Sequence, residues 1–139
     1  MGKKNSSAFE LRAQGFNLRL RFSGPDRENW FSVFVEVSAL PFSGTYAFQM
    51  LSSELEGLLE NLQELERSVG KEFEISWENY EANIRLKLSL NSQGQMLGHY
   101  RLAAGLGWEG ANLSGEFHAD QSYLGGWVQQ LKQVQSELG

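Results

Sequence analysis

Apolar side chains recur along this chain with two different periods, and the change of period predicts its elements. Phe16, Leu18, Leu20 and Phe22 alternate with Asn17, Arg19 and Arg21, the spacing of a strand with one buried face. Phe9 and Leu11 begin the same pattern earlier, and Gln14-Gly15 between the two runs reads as a tight turn or bulge. Gly24-Pro25-Asp26 has turn chemistry, because proline fixes φ while glycine and aspartate tolerate corners. From Trp30 to Val37, Phe31, Val33, Val35 and Val37 share one face while Trp30 and Phe34 occupy the other, which predicts a central strand covered on both sides. Pro41 ends that strand, and Phe42 to Met50 alternates again.

Past Met50 the apolar spacing becomes that of a helix, about 3.6 residues. Ser53 followed by Glu56 reads as a capping box. Leu55, Leu58, Leu59, Leu62, Leu65 and Val69 form one stripe, and Gly70 stands where a left-handed C-cap belongs. The strand period returns at Phe73, Ile75 and Trp77, and again from Ile84 to Leu90. After a turn at Asn91-Ser92-Gln93-Gly94 come Met96 to Ala103 and Ala111 to His118. Asp120 then caps a last helix whose core face is Tyr123, Leu124, Trp127, Val128, Leu131, Val134 and Leu138.

These segments predict an α+β fold, an antiparallel sheet of roughly six or seven strands with two amphipathic helices. The connections are too short for crossover helices. No internal repeat is expected. At 139 residues the chain has the length of one domain, read as a flexible polar N-terminus over 1–7 and a single α+β domain over 8–139. There is no cysteine, which removes disulfides, thiolate nucleophiles and cysteine-based zinc sites. No apolar run is long enough to span a bilayer, and the N-terminal positive charges lack a following apolar stretch, so the expected location is the cytoplasm.

The chemistry-bearing motifs have structural explanations. Gly105 to Gly110 matches the letters of a dinucleotide fingerprint, but the segment that follows alternates like a strand, whereas the pyrophosphate needs a helix N-terminus. A hairpin loop is the expectation, with no cofactor. His99 and His118, the two histidines, lie at polar positions of adjacent strands with no third ligand at metal spacing, so no metal is expected. No serine stands in a nucleophile elbow, and no Walker-type lysine loop occurs. Arg19 and Arg21 alternate away from Phe16 and Phe22, so they do not build a stacking platform for RNA. The catalytic expectation is none.

Charge changes the picture more. Between Ser53 and Glu81 nine glutamates stand against Arg67 and Lys71, a local balance of −7 in a chain of net −5, so the remainder sums to +2. Bulk nucleic-acid binding is disfavoured. Glu56, Glu60 and Glu64 follow one another at i, i+4 on the helix, a spacing at which like charges destabilise by roughly 0.2–0.5 kcal/mol per pair. The helix dipole accounts for acids in the first turn but not for Glu60 and Glu64. One reading is a solubilising face. The sharper one is a docking surface for a basic partner formed by these three, joined by Glu74 and Glu78 if the next strand lies alongside.

The order of landmarks resembles the WapI-type bacterial immunity proteins and related uncharacterised bacterial families. The matching features are Val33-Phe34-Val35-Glu36-Val37 leading to Phe42-Ser43-Gly44, the leucine-rich helix from Leu55 to Leu65, and Gly70. After these come the two long strands around Gly94 and Asp120-Gln121-Ser122-Tyr123-Leu124 opening the terminal helix. The resemblance covers most of the chain after about Phe16. It implies a non-enzymatic protein that binds and neutralises a cognate toxin domain, often a nuclease, and an acidic surface suits the basic cleft of such an enzyme. The alternative is a small-ligand-binding or subunit-interface module, and a hydrolase would require activity that is lost on changing His99 or His118. Titration of the protein with nicotinamide or flavin dinucleotides is expected to give no saturable heat at micromolar concentrations; saturable binding would refute the hairpin reading of the glycine loop.

Overall fold

The computed structural model describes residues 6–105 and 110–138. The strands are β1 (Ser6–Ala13), β2 (Phe16–Ser23), β3 (Trp30–Ala39), β4 (Phe42–Leu51), β5 (Phe73–Glu78), β6 (Ile84–Leu90), β7 (Gln95–Ala103) and β8 (Asn112–Asp120). The helices are α1 (Ser52–Arg67) and α2 (Leu124–Leu138), the latter entered through a short 3-10 turn over Gln121–Tyr123. The eight strands divide into two four-stranded antiparallel meanders, β1-β2-β3-β4 and β5-β6-β7-β8. The expectation of one sheet of six or seven strands is corrected on both counts. Alternation locates each strand, but α1 stands between β4 and β5, and its length of 16 residues carries the chain away from the first sheet.

Each meander is followed by a helix, so the order of elements recurs although no repeat is visible in the sequence. The repeat is one of burial rather than identity. Buried Phe16, Leu18, Leu20 and Phe22 of β2 have the spacing of buried Ile84, Leu86, Leu88 and Leu90 of β6. Leu55, Leu58, Leu59, Leu62 and Leu65 of α1 likewise match Leu124, Trp127, Val128, Leu131 and Val134 of α2. The helices close the halves reciprocally, α1 packing on β5 and α2 on β1, and they also pack on each other. One buried cluster runs through both sheets and both helices. At its centre Phe16 stacks on Tyr100 at 4.3 Å and on Phe117 at 4.8 Å, joining the first sheet to the second.

Gly98 makes room for that cluster, since a Cβ there would lie 2.2 Å from the Phe117 ring. At the first sheet's edge the Gln130 side chain does the work of a neighbouring strand. Its Oε1 accepts the Glu10 backbone N–H at 2.8 Å, and its amide donates to the Glu10 carbonyl at 2.9 Å. Donation from the Asn17 amide, with Arg12 beside it, holds the Glu10 carboxyl below its ordinary value.

Several expected positions shift. β3 is an inner strand, but its second face is not covered: Phe34 is 39% exposed, and the Arg21 guanidinium lies 5.2 Å from its ring centre. Val69 lies beyond the end of α1 and is exposed, so it drops out of the stripe, as does Tyr123, which precedes α2. Gly70, with φ +101, adopts the left-handed conformation expected after α1. The β7–β8 connection is a hairpin followed by a strand, as expected, although residues 106–109 of the glycine loop lie outside the described residues.

Phe31, Val33, Val35, Leu55, Leu62, Leu86, Leu88, Leu124, Trp127 and Leu131 are all buried, as the periodicities require. Leu62 is fully enclosed, so Leu62→Ala is expected to cost about 2–5 kcal/mol in denaturant unfolding. An unchanged midpoint would contradict its burial.

Candidate docking surface

α1 begins one residue before the expected cap. Ser52 is its first residue, and the carboxylate that turns back on the chain is Glu54, not Glu56: Glu54 Oε2 accepts the Leu51 backbone N–H at 2.6 Å. Leu51 has no polar side chain to complete a capping box, so half of that arrangement is present. Glu54 also ties α1 to the second half. Its Oε1 accepts the Tyr80 backbone N–H, and its main-chain carbonyl accepts the Trp77 indole N–H at 3.0 Å. At the other end of α1, Ser68 Oγ donates to the Glu64 carbonyl at 2.8 Å, which satisfies one of the orphaned acceptors there. Glu66, beside the apolar stripe, lies over Gly125 of α2, where a Cβ would be 3.6 Å from its Oε2.

With Glu54 and Glu66 placed by the fold, Glu56, Glu60 and Glu64 remain on the exposed side of α1. Among the described residues no ion pair reaches them. Glu74 and Glu78 are placed differently. They alternate with buried Ile75 and Trp77 on β5, and Trp77 is the residue that bonds α1, so the two glutamates lie on the sheet face turned from the helix. There Glu78 pairs with Arg85 at 3.0 Å and Glu74 with Lys87 at 3.6 Å, while Ser89 donates to Glu74. The five expected glutamates therefore form an open helical row and a separate cross-strand ladder.

The two histidines occupy the same outer face of the second sheet, in different rows. His99 Nε2 donates to Glu116 at 2.7 Å, whereas His118 stands opposite Leu97. His99 Nδ1 is buried without a hydrogen-bond partner among the described residues. Also among the described residues, no group of three or more His, Cys, Asp or Glu is placed to hold a metal ion. An open groove of about 1100 Å³ crosses the end of this sheet, lined by Glu72, Glu74, His118, Asp120 and Tyr123 with their neighbours. Asp120 serves as the expected cap: the Ser122 hydroxyl donates to its carboxylate, which also accepts the Ser122 backbone N–H at 2.8 Å, and these bonds, the hydroxyl's first, hold its carboxyl below the ordinary value. No helix among the described residues is long and apolar enough to cross a membrane.

Sequence periodicity breaks between β5 and β6 but gives no sign that this loop is anchored in the interior. Its two asparagines, Asn79 and Asn83, are buried and bonded. Asn79 Oδ1 accepts the Ile84 N–H at 2.8 Å, Asn79 Nδ2 donates to Asn83 Oδ1 at 3.0 Å, and Asn83 Nδ2 donates to the Ala103 carbonyl at 3.0 Å. From the first half, the Tyr46 hydroxyl donates to the Asn83 carbonyl at 2.7 Å, and burial pushes that phenol well above its ordinary pKa. The network holds Ala82 at φ +58, a conformation costing an L-residue about 1–2 kcal/mol. The tip of this fixed loop presents Tyr80, 88% exposed, next to the start of the acidic helix. The paired asparagines around a tyrosine were the available signal.

The immunity protein WapI-like family matches the chain over residues 1–139. The chain belongs to this family. A search of curated proteins gave no match.

Asn83 carries more of this loop than any of the exposed glutamates. Asn83→Ala, which leaves the buried Ala103 carbonyl without its side-chain donor and the Asn79 amide without its acceptor, is expected to cost about 1–3 kcal/mol in thermal or denaturant unfolding, and Tyr46→Phe about 1 kcal/mol. Equal stability of Asn83→Ala and wild type would rule out the network as a structural support.

Proposed function

We propose that this protein binds and neutralises a cognate toxin domain without catalysis, and that it does so in the cytoplasm. The observation that carries the reading is membership of the immunity protein WapI-like family along the whole chain. The partner is a basic protein domain, with a nuclease the best-fitting kind, since an acidic protein surface complements a cleft built for phosphates.

The docking row is Glu56, Glu60 and Glu64. Their mutual i, i+4 repulsion is not relieved by an ion pair among the described residues, so a cationic partner surface gains attraction without first breaking one. Glu74 and Glu78 belong to the same proposal with a smaller share, because Lys87 and Arg85 already balance them. Tyr80 adds an aromatic side chain at one end of the row, on a loop whose conformation is set before binding. Such a pre-ordered aromatic loses little entropy on contact.

Surface plasmon resonance against the toxin domain encoded alongside tests the reading. Changing Glu56, Glu60 and Glu64 together to lysine is expected to slow association markedly at low salt, with a smaller effect on dissociation and with stability held or slightly raised. The wild-type on-rate should fall as salt shortens the Debye length from about 10 Å at 0.1 M to about 3 Å at 1 M. An unchanged on-rate for the triple variant would leave the row as a solvated surface.

A further inference from the structure

Two four-stranded sheets have four edges, and three of them are protected. α2 lies along β1 and bonds its backbone through Gln130, and α1 packs against β5. β8 carries Glu116, His118 and Asp120. β4 differs. It pairs with β3 on one side and has no strand on the other among the described residues, it runs for ten residues, and it contains no charged residue and no proline. Phe42 to Thr45, Ala47 and Gln49 are exposed, and Gly44, which has nothing but backbone to show, is among them. At the adjoining hairpin tip Leu40 is 80% and Phe42 62% exposed. An edge of this kind is a ready template for another strand, which folded proteins ordinarily prevent.

We propose that β4 pairs antiparallel with β4 of a second copy of this chain, joining the two first sheets into one eight-stranded sheet. Charge selects the occupant. A basic toxin surface finds no acid on β4, whereas self-pairing places no like charges opposite one another. Shape selects the register. With Tyr46 on the two-fold axis, Phe42 faces Met50 of the second copy, Thr45 faces Ala47, and Gly44 faces Phe48. The Cβ position of Gly44 meets no atom within 4 Å, so there is room over that glycine for an aromatic ring. Ten residues of strand span ~33 Å, and a strip ~10 Å thick buries on the order of 350 Å² per copy, under half of the usual ~800 Å². The dimer is therefore weak and reversible.

Analytical ultracentrifugation of the full chain, from ~20 μM to ~1 mM, is the test, together with amide chemical shifts over the same range. The mean mass is expected to rise towards that of a dimer with concentration, with shift changes concentrated in β4. Ala47→Lys or Thr45→Lys, both at exposed positions, should weaken association at least tenfold while leaving the melting temperature near wild type. Because the chain has no native cysteine, a Thr45→Cys/Ala47→Cys variant should also form an interchain disulfide under oxidised glutathione faster than Ser32→Cys on the inner strand β3. The proposal is overturned by a monomer throughout the range, by a dimer indifferent to both lysines, or by crosslinking no faster than the control. A monomer whose toxin binding is weakened by Ala47→Lys would likewise overturn it and reassign the edge to the toxin. None of these readings uses the acidic row, so the docking proposal stands or falls separately.

Discussion

The structure depends on how the first strand of each meander is closed. A four-stranded antiparallel sheet built from hairpins has a buried face and two edges, and here neither half's own helix returns to its own first strand. α1 leaves the first sheet and packs on β5, while α2 comes back at the end of the chain to cover β1. At β1 the closure is literal: the Gln130 amide accepts and donates the two bonds that a further strand would supply. At β5 the main-chain carbonyl and carboxylate of Glu54 take the Trp77 indole and the Tyr80 N–H. Each half thus supplies the other's missing layer, which is why one buried cluster, rather than two, runs through the molecule. Separating the halves would expose both helical stripes and orphan the bonded edge groups, so the two are expected to unfold together.

Much of this architecture was legible one element at a time and little of it between elements. The alternation of Phe16, Leu18, Leu20 and Phe22, and the spacing of Leu55, Leu58, Leu59 and Leu62, report which face of an element is buried, and those faces are buried. Periodicity does not report what covers a face or whether a strand has a second neighbour. Phe34 therefore reads as covered, whereas it lies under solvent and the Arg21 guanidinium, and the alternating segments read as one sheet of six or seven strands, whereas they are eight strands in two sheets. Gln130 looked like any polar residue on a helix's wet side. Asn79 and Asn83 sit in a loop, where no period exists, and their burial arises from bonds to Ile84 and Ala103 and from Tyr46 reaching across from the first half.

The candidate site divides along the same line. That Glu56, Glu60 and Glu64 are exposed follows from the helix period alone. That Glu74 and Glu78 face away from the helix follows from the identity of the buried residues on β5, because Ile75 and Trp77 take the side that meets α1. Their pairing with Lys87 and Arg85 follows from the β5–β6 register, which brings Glu78 opposite Arg85 and Ser76 opposite Lys87. Charge along the chain was therefore a good guide to the sign of the region and a poor guide to which carboxylates share a surface.

The remaining step concerns why the fold tolerates its acidic row. Burial of Leu55, Leu58, Leu59, Leu62 and Leu65 fixes the rotation of α1, and with it the outward direction of Glu56, Glu60 and Glu64. Two i, i+4 repulsions cost about 0.4–1 kcal/mol together, while enclosing one such leucine stabilises by about 1.5–3 kcal/mol. The stripe outweighs the row several-fold, so the solvent face can hold a charge pattern that adds nothing to folding. β4 reaches the same freedom by another route. The β2–β3–β4 ladder and the anchoring of Tyr46 on Asn83 hold the strand in place, leaving its outer edge uncharged without loss of the fold. In both places the interior contacts are sufficient by themselves, and that surplus leaves the surface residues without a part in holding the fold.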